Sequence, residues 1–172
     1  MFDIYCADAE EKYRFLLGKA GTPSLIIIGL NPSTATREKS DVTASKVAKV
    51  ALHNGFEGFI LANLYPLRAT KPKDLPGAGN LALIQDNADI IARVSREQRS
   101  QVFWAAWGGD IGSRDYFPQA LASIVDQVRS PTTRWVRFGP LRKDGHPCHP
   151  SRLSYRWAFH EFEIDAYLQA LK

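Results

Sequence analysis

Cysteine is scarce. The two thiols, Cys6 and Cys148, stand far apart in a chain of 172 residues, too few for a disulfide framework or a four-cysteine zinc or iron–sulfur site. Long apolar runs are also missing: none approaches the ~20 residues of a membrane span. Met1 to Cys6 has neither the basic region nor the apolar stretch of a signal peptide. No repeat, linker or low-complexity segment interrupts the sequence. These absences, with 45% hydrophobic and 11% aromatic residues, lead us to expect one cytoplasmic domain over residues 1–172, with no membrane contact and its own core. The oligomeric state is left open.

Acid is thin in one region. Between Arg129 and Arg156 seven basic residues face only Asp144, a local balance of +6 in a chain whose net charge is +4. Such a cluster suits phosphate-bearing partners, although a solvated face has the same composition.

The run Ser24 to Leu30 has the length and apolar content of a strand covered on both faces, and it stops on the polar corner Asn31-Pro32-Ser33. Around it the periodicities predict helices over Ala7–Leu17, Val42–His53, a span from Leu81 to near Glu97, a span containing Phe117 to Val128, and Phe162–Leu171. Strands are predicted at Gly58–Leu64, Gln101–Trp107 and Thr133–Phe138. Alternation of this kind implies a three-layer α/β/α sandwich around a small, about four-stranded, mainly parallel sheet. Its strand ends, near Asn31, Asn63, Gly108 and Gly139, then meet at one edge, where open α/β sheets hold ligands.

Chemistry-bearing residues gather at those ends. Asn31 is a rigidly presented amide, because Pro32 keeps it out of the helical region. Asn63 ends a strand, Trp107 ends another, and Asp41 and Thr43 open a helix whose N-terminus can face an anion. The segment His146-Pro147-Cys148-His149 lacks the acidic or thiolate partners of a metal site, so no metal and no cofactor is expected. A lone His149 is better suited to hydrogen-bonding a developing anion. Asp41 and Asp110 are the only carboxylates in reach as general bases. Each of these residues also has a structural use: Asn31 and Asn63 as turn residues, His149 as a hydrogen-bonded core histidine, Asp41 as a helix cap.

Gly29-Leu30-Asn31-Pro32-Ser33, Asn63 and His149-Pro150-Ser151-Arg152-Leu153-Ser154 resemble, in order and spacing, the motifs of the uracil-DNA glycosylase superfamily. Leu30-Asn31-Pro32-Ser33-Thr34-Ala35, Asn63-Leu64-Tyr65, Arg68-Ala69-Thr70, Trp107-Gly108 and Lys143 to Pro150 resemble more closely the family known as domain of unknown function 1643. The glycosylase resemblance implies a uracil-DNA glycosylase-like fold and cleavage of a modified or deaminated base from its sugar in nucleic acid. In that scheme Asn31 positions a water, as in the superfamily's slower Asn-bearing branches, and Asn63 reads the base edge. His149 stabilises the leaving base, Ser151 holds a phosphate and Leu153 wedges into the base stack. Ser33 and Trp107 line the substrate. The partner is thus expected to be nucleic acid or a nucleotide. Two other readings use the same residues: a base-binding module without catalysis, and a hydrolase or transferase of a small phosphorylated metabolite, with Arg68, Lys71 and the helix start at Asp41 and Thr43 holding phosphate.

Overall fold

The strand Ser24–Gly29 is buried at every position, and the sheet is built outward from it on both sides. The computed structural model describes residues 1–171. In chain order the elements are β1 (Ile4–Ala7), β2 (Arg14–Lys19), β3 (Ser24–Gly29), α1 (Val42–His53), β4 (Gly58–Asn63), α2 (Leu81–Glu97), β5 (Val102–Ala105), α3 (Tyr116–Val128), β6 (Arg134–Phe138), β7 (Phe159–Glu161) and α4 (Ile164–Ala170). The architecture is mixed α/β, with one seven-stranded sheet in the order β1-β2-β4-β3-β5-β6-β7.

The sheet is therefore larger than the four strands expected. Antiparallel pairing of β2 with β4, β1 with β2, and β7 with β6 extends it at both margins. The helix expected at Ala7–Leu17 is instead the β1–β2 hairpin. Its acids close a turn: Asp8 accepts from the Tyr13 amide at 2.7 Å, and Glu11 adopts a φ of 56°. What overrides the helical stripe is β4, some forty positions away in sequence, which pairs Leu17 with Leu61. The last predicted helix, Phe162–Leu171, is observed as α4, Ile164–Ala170; the Phe162 amide donates to the Trp135 carbonyl and so prolongs the pairing of β7, a strand the sequence reading did not include, with β6.

Two apolar clusters flank the sheet. Ala44, Val47, Val50 and Ala51 of α1 pack on one face with Leu17, Leu25, Ile27 and Leu61. On the other face α2 and α3 bury Ile84, Ala88, Phe117 and Leu121 against Leu16, Ile26, Ile28 and Ile60. This division follows from the connections. The chain passes from β3 through α1 to β4 on one side, then returns across β3 through α2 to β5, and β3 is parallel to both neighbours. Chain direction across the sheet reverses between β3 and β5, which opens a crevice beyond their C-terminal ends.

One irregularity positions a side chain. In the β1–β2 ladder Cys6 pairs with Leu16 but Ala7 with Arg14, leaving Phe15 as an extra residue on β2. Leu16 and Phe15 consequently both pack toward the α2–α3 face. Alternation resumes one residue out of step, and Arg14 turns to the α1 face, where it donates to the Ala35 carbonyl. Bulges commonly re-aim side chains beside functional sites.

Candidate functional site

At the switch point between β3 and β5, on the α1 face, lies a cavity of about 610 Å³. That volume matches sites for nucleoside-sized ligands rather than for a single small ion. Asn31, Asn63, Trp107 and His149 meet on its wall, joined by Ser33, Asp41, Thr43 and Ser151. Arg68 and Leu153 are not part of that wall. Leu153 packs against the core cluster under α1. The Arg68 guanidinium donates to the carbonyls of Ser33 and Ala35 at 3.1 and 2.7 Å and pairs with Glu11 at 2.7 Å, so it braces the Asn-Pro-Ser loop from behind.

The two amides are held differently. Asn31 donates its Nδ2 hydrogens to the carbonyls of Pro32 and Ala69 at 3.0 and 2.8 Å, which fixes the amide and leaves Oδ1 as the free acceptor. Asn63 is only 3% exposed, and its Nδ2 has no hydrogen-bond partner among the described residues. Its side chain lies over Gly29, the residue paired with it across the ladder; a Cβ there would stand 2.7 Å from Asn63 Oδ1. A buried donor without an acceptor is costly, which makes it a natural contact for a ligand.

The tautomer of His149 follows from its neighbours. The Ser151 backbone N–H donates to Nδ1 at 3.1 Å, and the Ser151 hydroxyl lies 2.8 Å from the same atom. A main-chain amide can only donate, so Nδ1 is an acceptor and the proton of the neutral ring sits on Nε2. Burial, the largest influence, pushes the His149 pKa below the ordinary histidine value. His149 is thus a neutral donor at pH 7. Its backbone crosses Gly108, whose φ of 75° and missing Cβ admit it; an added Cβ would sit 3.1 Å from the His149 Cβ.

A second histidine is fixed by a relay. The Trp107 indole N–H donates to the Tyr167 hydroxyl at 2.9 Å, and that hydroxyl lies 2.8 Å from His146 Nδ1. Because indole only donates, the Tyr167 O–H is free to donate onward to His146. Burial raises the Tyr167 pKa to about 12. Trp107 is consequently a wall tied to α4, with its polar atom facing away from any ligand. Cys148 lines the cavity, but its thiol donates to the Pro140 carbonyl at 3.3 Å and burial raises its pKa. It is not an activated nucleophile. Among the described residues no group of three or more His, Cys, Asp or Glu gathers to hold a metal ion.

The structure separates the two carboxylates. Asp41 caps α1, accepting from the amides of Ala44 at 2.8 Å and Ala35 at 3.2 Å. Asp110, in the short helical turn Gly109–Ser113 after β5, lies on the cavity wall and makes no side-chain hydrogen bond or ion pair among the described residues. The basic region is also divided. Arg129 pairs with Asp165, Arg134 with Glu161 and Arg142 with Asp144, whose carboxyl the Arg142 hydrogen bond holds down to about 2. The acids that neutralise Arg129 and Arg134 come from β7 and α4, segments remote enough that a local charge count misses them.

Sequence reasoning missed Arg14. It is 1% exposed, its Nε lacks a partner, and its guanidinium's only hydrogen bond among the described residues is from Nη1 to the Ala35 carbonyl at 3.0 Å. Burial lowers its pKa to about 10, so it remains a cation at neutral pH. The available signal was an arginine inside an apolar run, Tyr13 to Leu17.

A sequence-family model described as "protein of unknown function (DUF1643)" matches residues 14–151. The chain belongs to that family. No curated protein matches its sequence. In this DUF1643 protein the matched span begins at Arg14 and ends at Ser151, and so contains every cavity residue named above. No helix among the described residues is long and apolar enough to cross a membrane.

Proposed function

We propose that this DUF1643 protein binds a nucleobase in the cavity and hydrolyses its N-glycosidic bond, as the motif resemblance to uracil-DNA glycosylases implies. The observation that carries the reading is the His149 donor. A neutral Nε2–H shares one cavity with a fixed amide acceptor at Asn31 and an unpartnered amide donor at Asn63.

The chemistry needs three things: recognition of the base edge, a placed water, and a donor where negative charge collects on the departing base. Asn63 offers the base both a donor and an acceptor. Asn31 Oδ1 accepts a hydrogen bond from the attacking water. As the bond from C1′ to the base nitrogen breaks, the electron pair leaves with the base and His149 Nε2–H hydrogen-bonds the resulting anion. The water oxygen bonds C1′ and its proton passes to Asp110, the wall carboxylate that makes no side-chain hydrogen bond or ion pair among the described residues. The products are the free base and a sugar with a 1′-hydroxyl.

The test is a panel of single- and double-stranded oligonucleotides, nucleosides and nucleotides carrying uracil, hypoxanthine, xanthine or methylated bases, scored for released base. Asn31→Ala and His149→Ala serve as controls. Release that both substitutions abolish supports hydrolysis. Base binding without release, dependent on Asn63, reassigns the protein as a base-binding module, a reading favoured by the amide at position 31, which orients water but cannot take its proton.

A further inference from the structure

The cavity continues beyond the amides to the β2 margin of the sheet, where Arg14 stands alone. An unpaired buried cation is expensive, and natural proteins pair such groups or give them a ligand. The nearest acids are already engaged: Asp41 by the Ala35 and Ala44 amides, Glu11 by Arg68. Arg14 also shares the Ala35 carbonyl with Arg68, so two guanidinium groups converge on one acceptor. No ion pair to Arg14 exists among the described residues, whereas Arg68 has one. Two other residues lining the same cavity, Ser33 and Thr43, carry hydroxyls that make no side-chain hydrogen bond among the described residues. The bulge at Phe15 is what points the cation here.

From this geometry we infer that Arg14, with the Ser33 and Thr43 hydroxyls, forms a receptor for a terminal phosphoryl group, making the ligand of the cavity a mononucleotide. The fork of a guanidinium and two hydroxyls suits the several oxygens of a phosphate monoester. Arg14 is 1% exposed, and a terminal phosphoryl group, unlike a bridging phosphodiester, carries no further chain that must be accommodated beside the buried guanidinium. The base assignment rests on the reading under Proposed function; the phosphoryl receptor does not.

The experiment is calorimetric titration of the full chain with the common nucleosides, their 5′-monophosphates and inorganic phosphate, repeated with Arg14→Met and Arg14→Lys. For at least one base the monophosphate should bind roughly ten- to a hundredfold more tightly than its nucleoside, the usual worth of hydrogen bonds to a charged group. Arg14→Met should remove that difference while leaving nucleoside affinity unchanged, and Arg14→Lys should restore part of it. Equal binding of nucleoside and monophosphate by the unaltered protein overturns the receptor, and needs no variant to fold. Binding of inorganic phosphate through Arg14 with no response to any nucleoside keeps the receptor and removes the nucleobase reading. Nucleoside binding with no gain from phosphate does the reverse.

Discussion

Substituting Gly29 by alanine tests how the cavity wall is made. The new methyl would stand 2.7 Å from Asn63 Oδ1, and the next neighbour, the Ala62 carbonyl, is 3.7 Å away. Only one contact is too close, and it belongs to a side chain, so the strain is relieved if the Asn63 amide swings off the wall. Overpacking of this kind costs roughly 1–3 kcal/mol, and we expect the lower half of that range because a single rotatable group yields. For a domain of this size the melting temperature should fall by roughly 2–8 °C. Gly18→Ala is the contrast. Its methyl would lie 2.1 Å from the Phe59 carbonyl oxygen and 2.9 Å from the Ile60 Cα. Both atoms are backbone, and relief requires breaking the β2–β4 register, at about 3 kcal/mol or more. Urea unfolding measures the two losses, and two-dimensional NMR follows the Asn63 side-chain amide. Gly29→Ala should move that amide resonance, leave that of Asn31 in place, and abolish base binding. Equal destabilisation by the two substitutions, or an unmoved Asn63 amide, refutes the argument.

Other outcomes follow from the same contacts. Tyr167→Phe removes the acceptor of the Trp107 indole N–H and the partner of His146, and should destabilise by about 1–3 kcal/mol in thermal unfolding. Asp41→Ala uncaps α1 and frees the Ala35 amide, for a loss of about 1–2 kcal/mol, read by circular dichroism melts; Asp41→Asn should recover much of it. His149 has a lowered pKa, so between its folded value and about 6.5 the unfolded chain carries a proton that the folded chain does not. Its contribution to stability is therefore complete above about pH 6.5 and declines as pH falls through that window, and His149→Gln should flatten this part of the profile of melting temperature against pH. Asp110→Asn should leave base binding intact and slow base release by about 10²- to 10⁴-fold, the usual range for a general base; an unchanged rate removes Asp110 from the mechanism.

The parts of the fold set by local physics could be read in advance. The β3 run, the α1 cap at Asp41 and the 3.6-residue stripe of α2 each depend on residues within a few positions of one another. The strand-end corner at Asn31 and the meeting of Asn63, Trp107 and His149 also follow, because parallel strands share one C-terminal edge. Arg14 did not, because its place depends on a bulge, and a bulge exists only once β1 and β2 are paired. The same applies to charge: the +6 of the basic segment is a local sum, and Glu161 and Asp165 reach it only after β7 and α4 fold back.

Sequence alone thus determined which strands are buried and which residues stand at their ends, since apolar period and proline geometry act over short range. Tertiary structure alone decided the β1–β2 hairpin, the tautomer of His149, the engagement of Asp41 and Arg68, and the lone cation at the cavity's inner end. The reason is physical: hydrogen bonds and ion pairs are settled by what lies within about 3–4 Å in space, and the chain's linear order leaves that distance undefined.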